Sequence, residues 1–253
     1  MKLLLLGALA ALVVLAGCGG DDGGGSGGPS GDLTVSAASS LNEAFTEYSG
    51  AFAGEARMHV SFAGSDELAA QIRQGIRPDV FAAANTKLPD ALYAEGLVEK
   101  PVVFAGNRLV IAVPLGSDIQ SVEDLAKPGT KVAIGSEGVP VGDYTRTVLD
   151  KLAPATRDAI LKNVRTEEPD VKGVVGKVSQ GAVDAGFVYV SDIVAAGDLL
   201  RIELPAELEP DVAYGIAIVK GGKNPEAARK FVDGLLTGQG ARILHDAGFA
   251  RPR

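Results

Sequence analysis

Apolar and polar positions along the chain fall into two alternating rhythms. Leu33-Thr34-Val35 reads as a strand, and helical spacing takes over from about Leu41 to Phe52. Met58, Val60 and Phe62 alternate as a second strand, and Leu68 to Ile72 sit in a helix closed by Gly75. Val80-Phe81 is a third, short strand, followed by a helix around Leu88, Leu92 and Tyr93 that ends at Gly96. Leu109 to Val113 is an unbroken apolar run, as a strand covered on both faces requires. A second set then begins with a strand at Val132 to Ile134 and a helical stripe at Tyr144, Val148, Leu149 and Leu152. Asp170 heads a helix bearing Val171, Val174, Val175 and Val178, and strands follow at Gly186 to Tyr189 and Val212 to Val219. Asn224-Pro225 predicts an N-cap with proline at the first helical position. The last helix carries Ile243 and Leu244 and ends near Gly248.

Strands alternating with helices predict an α/β fold with mostly parallel sheets. Two such sets, with no repeat period and no long linker, predict two lobes, the final strand and helices returning to the first. The expected division is 32–112 with 216–253 in one lobe and 113–215 in the other. Ligands in such folds bind beyond the carboxyl ends of strands, close to helix N-termini.

The start of the chain points to a compartment. Met1-Lys2 precedes an apolar run from Leu3 to Leu15, broken only by Gly7 and too short for a comfortable membrane span. Leu15-Ala16-Gly17-Cys18 resembles the lipobox of bacterial lipoproteins, which implies a signal peptide over 1–17, cleavage before Cys18 and diacylation of its sulfur. Cys18 is the one cysteine of the chain, so no intrachain disulfide can form. Gly19 to Gly31 holds only Gly, Asp, Ser and Pro and reads as a tether of roughly 20 Å root-mean-square reach. Together, 18–31 would anchor a folded body to the outer face of the membrane without spanning it.

The net charge of −8 argues against nucleic acid, which calls for a basic face. It also means that an anionic ligand would bind against the overall field, held by local dipoles. An enzyme finds little support. Gly24-Gly25-Ser26-Gly27-Gly28 fits G-x-S-x-G but lies in the tether, without the strand and helix of a nucleophile elbow. His59 and His245 have no partner at metal or triad spacing and read as structural or solvated. A lipid-anchored hydrolase stays open only as a distant alternative.

Candidate chemistry sits at four strand-to-helix turns: Ser36 to Glu43, Phe62 to Asp66, Val139 to Gly142 and Pro169 to Val171. Ser40 with Glu43 matches the capping box S-x-x-E. Each turn would aim unpaired backbone N–H groups out of a helix N-terminus, and such ends attract anions. Any one of these serines alone reads as an ordinary N-cap worth about 1 kcal/mol. Four turns on one side of two lobes read as a site for an anion or polar solute.

Leu33 to Leu41 resembles the opening strand and first serine turn of the molybdate-binding proteins of ABC importers, and Phe62 to Ser65 with Leu68 to Ile72 resembles their second. Pro78 to Ala84 and Asn107 to Pro114 are similar to core strands of that family. Val139 to Tyr144 and Gly186 to Asp192 are similar to its second lobe, so the likeness runs in order from Leu33 to Phe249. The resemblance implies the two-lobed type II periplasmic-binding-protein fold, with mixed sheets flanked by helices and the ligand in the cleft. It implies a monomer that binds molybdate and tungstate without a cofactor or directly coordinated metal, and that works with permease and ATPase subunits on other chains. Its site residues would be the hydroxyls of Ser40, Ser65 and Tyr189 and the main chain at Val141 and Val171.

Molybdate is fully ionised at neutral pH, so its oxygens only accept hydrogen bonds and a cage of donors suits it. Hydrogen phosphate carries a proton and would want an acceptor. Asp66 and Asp143 stand beside the proposed turns and are expected to be first-turn acids facing solvent. Sulfate or phosphate remains the alternative ligand, through an acid turned inward or a different closure.

Overall fold

The computed structural model describes residues 31–252. The expected signal peptide, lipidated Cys18 and tether up to Ser30 lie outside the described residues.

The backbone builds two five-stranded sheets. In the first, β1 (Asp32–Ala38) lies between β2 (Arg57–Ala63) and β3 (Val80–Ala83), all parallel. This sheet is completed by β10 (Val212–Ile218), antiparallel to β3, and then by β4 (Val102–Asn107) at the edge. In the second, β6 (Val132–Gly135) lies between β7 (Val164–Glu168) and β8 (Ala185–Tyr189), again all parallel. There β5 (Leu109–Pro114) runs antiparallel to β8, with β9 (Leu199–Glu203) beyond it. Each sheet is therefore mixed, and β10 does for the first what β5 does for the second. Leu109 to Val113 are all essentially inaccessible, which is why that run carries no polar alternation.

The chain changes sheets at Arg108 and again through 204–211. The divisions expected at 112/113 and 215/216 instead fall inside β5 and β10. Neither can be a crossover, because β5 pairs with β8 and β9 along its length and β10 pairs with β4 from Val212 onward. The lobe boundary is thus set by hydrogen-bond ladders rather than by the ends of apolar runs. The edge strand β4 has no periodic signal in the sequence, because Val102 and Val103 are exposed.

Helices cover the sheets and close through side-chain packing. Phe45 of α1 (Asn42–Phe52) meets Phe231 of α8 (Pro225–Thr237) edge-on at 5.3 Å, so the end of the chain returns to the first lobe. The expected cap at Asn224 forms, its Oδ1 accepting from Ala227 N–H at 3.2 Å. Asp79 fastens this return. It is buried, and its carboxylate accepts from Thr34 N–H at 2.8 Å, Thr34 Oγ1 at 2.7 Å and Asn224 N–H at 2.6 Å. Replacing Asp79 by Ala leaves those backbone donors without a charged acceptor. We expect a loss of about 3 kcal/mol, read from the midpoint of urea unfolding.

Candidate anion-binding cleft

The four turns meet. Ser40, Ser65, Val141, Val171 and Tyr189 all line one small cavity between the two lobes. Among the described residues neither lysine nor arginine lines it.

Each wall is built from local rules. After β1, Ser39 to Leu41 form a short 3-10 turn, and α1 starts only at Asn42. The capping box expected of Ser40 and Glu43 is therefore absent, because the tighter turn carries Ser40 away from the N-cap position. Ser40 Oγ lies instead 2.9 Å from the hydroxyl of Tyr214, and Glu43 reaches across the cleft to Lys172 Nζ at 2.8 Å. In the second turn Gly64 is the N-cap of α2 (Ser65–Arg73), and Ser65 Oγ accepts from Ala84 N–H at 3.1 Å. That bond leaves the Ser65 proton free to be donated.

The second lobe supplies main-chain donors. Pro140 opens α4 (Pro140–Asp150), whose first helical bond runs from Asp143 N–H to Val139 C=O, so the helix makes no use of the Val141 N–H. Asp170 caps α6 (Val171–Ser179) by accepting from Gly173 N–H at 2.9 Å, leaving the Val171 N–H at the open end. One oxygen of this wall residue's carboxylate is thus committed to the cap. Tyr189, the last residue of β8, is buried, and its hydroxyl has no hydrogen-bond partner among the described residues. Burial pushes its phenol well above the ordinary value, so it keeps its proton and is a donor in waiting.

Beside the cavity, Asp143 stays near the surface, accepting from Gly138 N–H at 2.9 Å and lying 3.7 Å from Lys87 of the other lobe. Asp66 is a first-turn acid as expected, but it is half-buried and only partly turned to solvent. Its Oδ1 is buried and unpartnered, and burial raises its carboxyl pKa against the pull of nearby backbone N–H groups. The reason is the closed approach of the lobes at the start of α2. A Cβ added at Gly64 would stand 2.6 Å from Pro169 O of the second lobe and 2.8 Å from Asp66 Oδ1. Asp66 does not line the cavity.

A type of interaction that sequence reasoning missed lies just behind the wall. Asp192 of α7 (Val190–Ala196) is fully buried, and its Oδ2 accepts from Tyr189 N–H at 3.0 Å, holding the end of β8. Its Oδ1 has only Lys172 Nζ, at 3.6 Å. Nothing in Val-Ser-Asp-Ile marks this acid as buried rather than solvated.

The chain matches the sequence profile of the bacterial extracellular solute-binding proteins over residues 33–250. It belongs to that family. Among relatives of this solute-binding protein, the molybdate-binding protein ModA of Mycobacterium tuberculosis is 37% identical over 259 residues, covering 97% of each chain. The molybdate-binding protein ModA of Escherichia coli is 31% identical over 87% of this chain and 89% of its own. The structure of the periplasmic molybdate-binding protein of Azotobacter vinelandii superposes with a TM-score of 0.77 at 23% identity, over 87% of this chain and 100% of that one. The solute-binding protein therefore has the type II periplasmic-binding-protein fold.

Two outcomes follow from this geometry. Gly64→Ala adds no backbone strain, since φ is −58°, but obstructs Pro169 across the cleft. We expect ligand affinity in calorimetry to fall by about tenfold or more, while the melting point of the ligand-free protein moves by only about 2 °C. Burial raises the Asp192 carboxyl to about 7, against the opposing charge of Lys172 and with Glu43 adding to the rise. A carboxyl raised in the folded state takes up protons on folding, so its ionisation costs stability as pH climbs from about 4 to about 7. The stability of wild type minus that of Asp192→Asn, from urea unfolding across this range, should decline with rising pH and level off above it.

Proposed function

We propose that this solute-binding protein captures molybdate, and tungstate with it, and hands the anion to an ABC importer whose permease and ATPase are other chains. The observation that carries this reading is the Tyr189 hydroxyl, buried without a partner on the wall of a cavity shared by two serine hydroxyls and the open ends of α4 and α6. A fully ionised tetrahedral anion accepts from all of these. Charge-assisted hydrogen bonds contribute roughly 1.5–3 kcal/mol each, and helix ends add about 0.3–1 kcal/mol, so five donors offset desolvation without a cationic side chain. The names of the mycobacterial and E. coli relatives support the same ligand.

The wall offers few acceptors for the proton of hydrogen phosphate: Asp170 is the one acidic residue lining the cavity among the described residues, and its Oδ1 is already engaged by Gly173 N–H. We further propose that the body works as a monomer at the outer face of the cytoplasmic membrane, tethered through a lipid on Cys18, whose setting in Leu-Ala-Gly-Cys supports the anchor. Metabolic labelling with a fatty-acid analogue, lost in Cys18→Ser, tests that attachment.

The ligand is tested by calorimetric titration with molybdate, tungstate, sulfate and phosphate in one buffer. Tight 1:1 binding of the first two and weak heats from the others are expected; the reverse order would overturn the ligand assignment. Ser40→Ala and Ser65→Ala should each weaken molybdate binding by about tenfold or more, since each removes a hydrogen bond to a charge. Tyr189→Phe should weaken binding without abolishing it, and wild-type affinity in that variant would take Tyr189 out of the site.

A further inference from the structure

Tyr214, on β10, sits behind the cavity and not on its wall. Its ring is fully buried, edge-on to Phe104, Tyr189 and Phe249 with centroids 6.2, 5.9 and 5.4 Å away. A phenol in such a place needs a polar partner, and the hydroxyl has Ser40 Oγ at 2.9 Å. Between those two oxygens either could donate. The neighbouring amide decides which one does.

Asn107 Oδ1 accepts from Arg108 N–H at 2.9 Å, which fixes the way its amide faces. Its Nδ2 then donates to Ser191 Oγ at 2.9 Å and, more weakly, toward the Tyr214 hydroxyl at 3.5 Å. With an N–H turned to the phenolic oxygen, the Tyr214 proton goes to Ser40 Oγ. Tyr214 cannot lose that proton in the working range, because burial pushes its phenol well above the ordinary value. A serine that accepts in this way directs its own proton elsewhere, and the cavity is the side left open to it. Ser65 is set by the same logic through Ala84 N–H.

We propose that Tyr214, oriented by Asn107, is a positioning residue that fixes Ser40 as a donor toward the bound anion. The inference rests on the oxyanion reading of the cleft. It makes the donor-only character of the wall a built property of the first lobe, and it links that property to the crossover, since Asn107 immediately precedes Arg108 and also holds Ser191 of the second lobe. Without the phenolic O–H the Ser40 hydroxyl could rotate and present a lone pair, so preference for a fully ionised anion over a protonated one should narrow.

The test is a double-mutant cycle on the full chain, read by calorimetry with molybdate, tungstate, sulfate and phosphate and by the melting point without ligand. Tyr214→Phe keeps the ring and should bind the preferred anion about tenfold more weakly, with a smaller gap between molybdate and phosphate. In a Ser40→Ala background the same substitution should change affinity less than about twofold, because the serine it positions is gone. Wild-type affinity in Tyr214→Phe, or losses that simply add in the double variant, would overturn the proposal. Should Tyr214→Phe not fold, Asn107→Ala runs the same cycle, with about threefold loss alone and none beside Ser40→Ala. If sulfate or phosphate proves the preferred anion and the cycle still closes, the ligand assignment fails while the role of Tyr214 stands. If none of the four binds wild type, both fall together.

Discussion

An acidic chain of net charge −8 repels an anion at long range, so whatever holds one here has to act within a few ångströms. That requirement shapes the molecule. Donors must be unpaired in advance, concentrated, and shielded from water, and a strand-to-helix turn supplies them as a by-product of ending one element and starting the next. The two mixed sheets bring four such turns to one small cavity. Within the first lobe, the aromatic packing around Phe231 and the Asp79 fastening hold the framework that carries its two turns.

The sequence shows most of this because the turns are made of residues with narrow conformational uses. Gly64, Pro140 and Asp170 each mark a helix start by their chemistry, and each is found at one. Leu109 to Val113 and Val80-Phe81 announce buried strands by lacking polar alternation. Where side chains carry no such local constraint, legibility fails. Val102 and Val103 lie at an exposed sheet edge, so β4 has no pattern, and the crossovers depend on pairings between residues far apart in the chain.

The site divides in the same way. The five wall residues could be placed through the turns and the family likeness, whereas Tyr214, Asn107 and Asp192 act from behind the wall through partners distant in sequence. Tyr214 lies in an alternating strand and looks like any core aromatic. The absence of the capping box has a related origin: S-x-x-E is a pattern over four residues, and a 3-10 turn can satisfy the pattern while moving the serine to another duty. The half-buried setting of Asp66 is equally hard to read, since the Pro169 carbonyl close to this turn belongs to the opposite lobe and lies far off in the sequence.

The meeting of Gly64 with the Pro169 carbonyl has a consequence for size discrimination. Backbone abuts backbone there, and neither side can yield by changing a rotamer. A side chain at position 64 would meet that carbonyl, so glycine is what lets the serine turn of one lobe come this close to the loop ahead of α6 in the other. Any larger residue there would hold the two sets of donors apart, and an anion too small to reach both would lose part of its bonding.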